Sequence, residues 1–281
     1  MAKVLEVSVS GYYQWRKHER SARDELDEQL IPLIKEVHKS SYESYGVRRI
    51  VRHLKHQGIV VNPKRIRRLM RFLGLKGKGE PKRQKFIKTT DSEHSNPVAP
   101  NELNREFTLK EPNKCWVSDI TYLWTLEGWV YLAVVMDLYN RKVVGWAISE
   151  SIDTELVSLA LERAVVKRNP APGLLLHSDR GVQYTSISYR ALVRSCGMRQ
   201  SMSRKGNCWD NAVAESFFRS LKVEVIRGLK LTTVKEAETV IFEYIEEYYN
   251  NWRVHSSLGY MSPVQYEALY RGVSTNREGV Y

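Results

Sequence analysis

Apolar positions in the first third of the chain recur at helical spacing. Val47, Ile50, Val51 and Leu54 fall at i, i+3, i+4 and i+7 with Gly58 as a stop, so residues 46–57 read as an amphipathic helix. Asn62 is a good N-cap and Pro63 suits a first helical position. Ile66, Leu69, Met70 and Leu73 then repeat the spacing before Gly74, which predicts a second helix after a short turn. Residues 24–38 predict a preceding helix through Leu26, Leu30, Leu33 and Val37, broken or restarted at Pro32. From Lys76 to about Asn113 the periodicity fades into Lys, Pro, Ser, Thr and Asn, the composition of a linker.

Beyond the linker the period changes from helical to alternating. In Cys115 to Trp124, Val117, Asp119, Thr121 and Leu123 fall on one face and Trp116, Ser118, Ile120 and Tyr122 on the other. Glu127-Gly128 supplies a hairpin turn, Trp129 to Met136 reads as a central strand, and a turn at Tyr139-Asn140 leads to a strand over Val143 to Ile148. Asp153 caps a helix running to about Arg168, and Leu174 to Leu176 is a short buried strand ending in His177-Ser178-Asp179. A later helix starts near Asn211, with Ala214, Phe218, Leu221 and Val225 as its apolar stripe. Three meandering strands, a helix, a further strand and more helices describe a mixed α/β sheet. The expected organisation is a basic all-helical region over 1–75, a linker over 76–113, and an α/β domain with a C-terminal helical extension over 114–281.

Composition supports a globular protein: 42% of the 281 residues are apolar and 27% charged, which excludes wholesale disorder. No stretch approaches the length of a membrane span, and Met1 to Ser10 is too short and mixed for a signal peptide, so a cytoplasmic protein is expected. Cys115, Cys196 and Cys208 form neither an even disulfide set nor a Cys-x-x-Cys pair. His53 and His56 have no such pair downstream, so no zinc is expected.

Charge changes the picture more. Of the net +12, residues 1–113 carry 24 Lys+Arg against 14 Asp+Glu, whereas 114–281 carry 20 against 18. Gly46 to Lys88 alone contains 15 basic residues and one acid, Glu80, the electrostatic footprint of a phosphate-backbone binder. Arg48, Arg49, Arg52 and Lys55 sit on the outer faces of the first predicted helix, and Lys64, Arg65, Arg67, Arg68 and Arg71 on those of the second. Two short helices with an arginine-rich second member fit a helix-turn-helix on duplex DNA. A solvated basic surface is the alternative.

Three acids carry candidate chemistry. Asp119 lies mid-strand, Asp179 follows the carboxyl end of a strand, and Glu215 sits within the helix that starts near Asn211. If they converge, mutual repulsion raises their proton affinities until divalent ions relieve it. Oxygen-only ligation favours Mg2+ or Mn2+, and two such ions about 3.5–4 Å apart support in-line phosphoryl transfer without a protein nucleophile.

Asp179 and Glu215 are separated by 35 residues, and with Asp119 they resemble the D,D-35-E signature of retroviral-integrase-like transposases. The stretches Trp116 to Tyr122, His177 to Tyr184 and Gly206 to Phe218 resemble the catalytic protein (OrfB) of bacterial insertion sequences of the IS-three family. So do Ser8 to Trp15 upstream and Tyr249 to His255 with Leu258 to Pro263 downstream, which extends the resemblance over almost the whole chain. Lys222, seven residues after Glu215, matches that family's pattern. The resemblance implies an RNase H-like fold, strand cleavage at transposon ends and transfer of the 3′-hydroxyl. It also implies an upstream partner (OrfA) with its own helix-turn-helix and leucine zipper, and assembly of several copies on transposon-end and target DNA. No sustained heptad occurs in this sequence, and the abrupt start at Val4-Leu5-Glu6 suggests a shortened N-terminus. An RNase H-type nuclease and a catalytically silent DNA-binding regulator remain as alternatives.

The remaining candidates surround these acids. Lys222, on the exposed side of the helix bearing Glu215, is suited to a phosphate. Arg204, Lys205 and Asn207 occupy a Gly-containing segment suited to closing on a DNA end. His177, Arg253 and His255 are candidates for auxiliary roles, and Trp209 and Trp252 for stacking on a splayed base. Asp137 and Asp210 are decoys, the first ending a strand and the second capping the following helix.

Overall fold

The computed structural model describes residues 7–17, 22–79, 94–205 and 208–278. The chain divides into two compact units, Met1–Lys78 and Gly79–Tyr281.

The first unit is helical: α1 (Val9–Arg16), α2 (Ala22–Ser40), α3 (Val47–His56) and α4 (Pro63–Phe72). Its core joins Leu30, Ile34 and Val37 of α2 to Ile50 and Leu54 of α3 and to Ile66, Leu69 and Met70 of α4, all buried. The side chain of Asn62 accepts the Lys64 N–H at 2.8 Å, and Pro63 opens α4 where its missing N–H leaves no intrahelical bond unmade. Two expectations for α2 need correction. The helix runs through Pro32 without a break, with Pro32 on its exposed face. The buried stripe is Leu30, Ile34 and Val37; Leu26 is exposed and Leu33 only half-buried.

The second unit is built on a five-stranded sheet in the order β3-β2-β1-β4-β5. Strands β1 (Cys115–Thr125), β2 (Gly128–Asp137) and β3 (Val143–Ser149) form an antiparallel meander. After α5 (Thr154–Arg168) the chain enters β4 (Leu175–Ser178), parallel to β1. Two short helices, α6 (Val182–Thr185) and α7 (Ile187–Ser195), lead to β5 (Arg199–Met202), parallel to β4. This is an RNase H-like sheet. The core between sheet and helices includes Trp116, Ile120, Ala133, Val135 and Val144 against Leu156, Val157, Ala160 and Leu161 of α5. Gly145 lets α5 approach β3: a Cβ there would lie 2.3 Å from the Ala160 carbonyl oxygen.

Among the described residues three α-helices follow β5: α8 (Ala212–Leu221), α9 (Val234–Phe242) and α10 (Pro263–Glu278). α8 packs on β1 and passes into a π-helical turn over Lys222–Ile226, closed by the Arg227 N–H donating to the Lys222 carbonyl at 2.8 Å. α9 likewise continues as a π-helix over Glu243–Tyr249. Aromatic packing joins the two helical stretches, with Phe217 edge-on to Tyr249 at 4.8 Å between ring centroids.

Residues 94–113, expected within a linker, run along this unit instead. Ser201 Oγ accepts the N–H groups of Glu102 and Leu103, Asn96 donates to Thr185 Oγ1, and Leu103 is buried. Low apolar periodicity conceals such a segment, because side-chain hydrogen bonds rather than an apolar face attach it.

Candidate active site

The sheet register juxtaposes two of the three acids. Val117 of β1 pairs with His177 of the parallel strand β4, so Asp119, within β1, and Asp179, just past the carboxyl end of β4, stand at the same level of neighbouring strands. Asp119 Oδ1 accepts the N–H of Ile120 at 2.9 Å, and Asp179 Oδ1 accepts that of Gly181 at 2.9 Å. The third acid enters from the other side of the chain. Asn211, just before α8, donates from Nδ2 to the Ser118 carbonyl at 3.3 Å, which ties the start of α8 beside Asp119 and sets Glu215 in the first turn of that helix.

Electrostatics join the same groups. Burial pushes the Asp119 carboxyl well above its ordinary pKa range, with Asp179 and then Glu215 adding like-charge repulsion; the Ile120 N–H and Lys222 act in the opposite direction. Burial also raises Glu215. Among the described residues no three His, Cys, Asp or Glu side chains are drawn into a closed metal-ligating group. The donor set is nevertheless all oxygen, and two mutually repelling carboxylates on neighbouring strands lower their repulsion by taking a divalent cation. The residues present therefore fit such an ion.

Lys222 belongs to this cluster, with a correction. It is half-buried rather than exposed, its Nζ lying 4.2 Å from the centre of the Tyr122 ring. Burial lowers its pKa while Asp119 raises it. Lys222 closes α8 in ordinary helical conformation, and its half-burial comes from the Tyr122 ring against which it packs.

Other candidates are placed differently. His177 is fully buried between Ser201 Oγ (2.9 Å) and Ser203 Oγ (3.2 Å), and burial lowers its pKa to about 4; it is a neutral bridge between β4 and the chain leaving β5. Arg253 is buried and grips Glu224 through Nε (3.0 and 2.8 Å) and a terminal nitrogen (2.7 Å), and also donates to Ser220 Oγ at 3.0 Å. His255 stacks edge-on to Tyr249 at 4.8 Å. Arg253 and His255 thus support the helical stretch carrying Glu215 and Lys222.

Asp210 is no helix cap. Its fully buried carboxylate accepts the backbone N–H and two guanidinium N–H groups of Arg204 at 2.9–3.0 Å, and Arg105 Nε and Asn101 Nδ2 at 2.8 Å. Arg204 is consequently committed to Asp210, which holds the chain between β5 and α8. Lys205 is exposed, whereas Asn207 lies outside the described residues, as does the side chain of Trp209. Asp137 is structural as expected, accepting the N–H groups of Asn113 and Tyr139 and pairing with Arg168 at 3.5 Å.

In the helical unit Arg48, Arg52, Lys64, Arg67 and Arg71 are exposed. Arg65 and Arg68 are not simply outward-facing: both pair with Asp27 of α2, Arg65 at 3.7 Å. Arg49 lies 5.3 Å from the Tyr45 ring centre. Sequence reasoning missed Asn211, Tyr122 and the paired Ser118 and Tyr184, whose hydroxyls are 3.1 Å apart beside Asp119. All four stand within the family-like stretches, which was their only signal.

A family model described as an integrase core domain matches residues 110–208, a second of the same description matches residues 215–269, and an HTH-like domain model matches residues 25–85. The chain is 44% identical over 270 residues to the insertion element IS600 uncharacterized 31 kDa protein of Shigella sonnei, covering 96% of this chain and 98% of that one. It is 39% identical over 269 residues to the transposase InsF for insertion sequence IS3A of Escherichia coli (strain K12), covering 95% and 92%. It is 41% identical over 251 residues to the transposase for insertion sequence element IS904 of Lactococcus lactis subsp. lactis (strain IL1403), covering 89% and 98%. With an HTH-like helical unit, an integrase-type core and relatives matched along nearly their full length, the chain belongs to the IS3 family of insertion-sequence transposases.

Proposed function

We propose that the chain is a metal-dependent polynucleotidyl transferase, with Asp119, Asp179 and Glu215 holding two Mg2+ or Mn2+ ions. The observation that carries this reading is that the parallel register sets Asp119 and Asp179 level on neighbouring strands, with like-charge repulsion on Asp119 from both other acids. Bound there, the ions would supply Lewis-acid stabilisation of the attacking and leaving oxygens. The protein's own residues orient the substrate. Lys222 meets the phosphodiester next to Asp119 as a point charge, and the buried hydroxyls of Ser118 and Tyr184 fix the floor under the acids. In strand cleavage water attacks the phosphorus at the element's end and the P–O3′ bond breaks, leaving a 5′-phosphate on the flank and a 3′-hydroxyl on the element. That oxygen then bonds to a target phosphorus while the target's own P–O3′ bond breaks.

Duplex DNA is the substrate, held by the exposed basic side chains of α3 and α4 and by the exposed Lys205. Several copies on the two element ends, and the upstream partner OrfA, complete the assembly, which works in the bacterial cytoplasm; among the described residues no helix is long and apolar enough to cross a membrane.

The test is a denaturing-gel assay on labelled DNA from the element's ends in Mg2+, with and without OrfA. Joined strands longer than the substrate, absent in Asp179→Asn although that variant still binds DNA, support the proposal. Only shorter fragments would make the chain a nuclease. Binding without products in either condition would make it a regulator.

A further inference from the structure

The hairpin joining β1 and β2 carries an aromatic cluster that the chemistry above does not use. Trp124 and Trp129 face each other across the two strands, edge to face with ring centroids 4.8 Å apart. Tyr122 packs against Trp129 in the same way at 5.2 Å. A cross-strand aromatic pair stabilises a hairpin without needing to be open to water. This one is open: Trp124 is 55% and Trp129 42% exposed, beside Leu126 at 72%.

The hairpin is anchored on its other side. Leu126 N–H donates to the Leu231 carbonyl at 3.0 Å, Thr125 pairs with Leu231 as an isolated bridge, and Val234 N–H donates to Glu127 Oε2 at 2.8 Å. The rings are thus held by the backbone of two elements and present fixed faces.

The cluster also adjoins the candidate active site. Lys222, at the end of the helix that carries Glu215, lies over the Tyr122 ring, three residues from Asp119 along β1. The path from the acids therefore runs through a cation to three successive aromatic rings, the last of which are open to water. A cation followed by stacking surfaces matches a phosphate followed by nucleobases.

We infer that Tyr122, Trp129 and Trp124 form a stacking platform for nucleobases splayed from the DNA end whose phosphodiester lies at Lys222. The occupant is unpaired bases of the substrate duplex, because a paired end keeps its base faces covered by neighbouring pairs. Stacking there offsets the unpairing and delivers the terminal strand to the acids as a single strand. The inference rests on the proposed assignment of the acids and Lys222 to the phosphodiester.

Three duplex probes of one sequence test it, with Ca2+ in place of Mg2+: one fully paired, one with mismatched and hence splayed terminal bases, and one splayed with the terminal bases removed to leave abasic sugars. All three keep the same phosphates, so differences in affinity report the bases alone. The wild-type chain should bind the splayed probe about tenfold more tightly than its abasic form, the scale of stacking one base on an aromatic side chain. Trp124→Leu and Trp129→Leu, which keep apolar cover on the hairpin, should reduce that ratio to near one with only a small fall in melting temperature. Trp124→Phe should restore part of it.

An unchanged ratio in both leucine variants would overturn the platform, as would a ratio of one in the wild-type chain. A leucine variant that alters only the oligomeric state by sedimentation would make this face a contact between copies and would likewise overturn it. Asp179→Asn should keep the tenfold ratio. A Trp-dependent ratio in a chain that performs no Mg2+-dependent chemistry would leave the platform standing and refute the assignment of the acids, so the two failures are distinguishable.

Discussion

Replacing Glu224 with Gln should destabilise the second unit severely, although the change swaps one oxygen for an NH2 group. Glu224 and Arg253 are 4% and 6% exposed, and the guanidinium donates to the carboxylate over distances of 2.7–3.0 Å. Burial alone would lower the Arg253 pKa, and Glu224 outweighs it to hold the guanidinium well above its ordinary range. Glutamine keeps the volume and still accepts from the Tyr244 hydroxyl, now 2.9 Å from Oε2, so no cavity opens. What remains is a buried cation without its counter-charge, which costs about 3–5 kcal/mol. For a unit of this size that corresponds to a fall in melting temperature of roughly 6–20 °C. Circular dichroism melts at neutral pH check this. The double variant Glu224→Met with Arg253→Met should recover most of the stability, because the desolvated charges leave together. If Glu224→Gln melts with the wild-type chain, the pair is not the buried support described here.

Two further perturbations separate binding from folding. Changing Arg67 and Arg71 to Ala should weaken DNA binding and flatten its log–log salt dependence by about 0.9 for each phosphate no longer neutralised, whereas Arg68→Ala should also lower the melting temperature by releasing Asp27; an unchanged slope removes α4 from the interface. Asp210 gives a pH-dependent signal. Hydrogen bonds from Arg204, outweighing burial, hold its carboxyl well below the usual range, so the folded state favours the ionised form. Its contribution is complete above the ordinary Asp pKa of about 3.9 and is lost as the pH falls below that value. Asp210→Asn should therefore melt below the wild-type chain at neutral pH, with the gap closing in acid; a gap that does not depend on pH contradicts the clamp.

Much of this architecture was legible in the sequence because it rests on local rules. The spacing of Ile50, Leu54, Ile66 and Leu69 and the Asn62-Pro63 start define α3 and α4, and strand alternation places Asp119 on β1. What remained hidden depends on interactions between residues distant in sequence. Nothing near Arg253 announces Glu224, 29 residues away, or near Arg68 announces Asp27. Asp210 looks like a cap because it precedes a helix, yet its partners Asn101 and Arg105 come from a stretch without periodicity. Lys222 looks exposed from its own helix alone, because the Tyr122 ring that covers it comes from β1, far earlier in the sequence. The parallel register that aligns Asp119 with Asp179 is likewise a property of the assembled sheet.

The most direct test of the central claim counts metal ions. Electron paramagnetic resonance with Mn2+ titrated into the protein bound to element-end DNA should report two tightly held ions per active site. Asp119→Asn, Asp179→Asn and Glu215→Gln should each lose tight binding while retaining DNA affinity. Undiminished Mn2+ binding in all three variants would show that these acids do not form the metal site, and the account would fail.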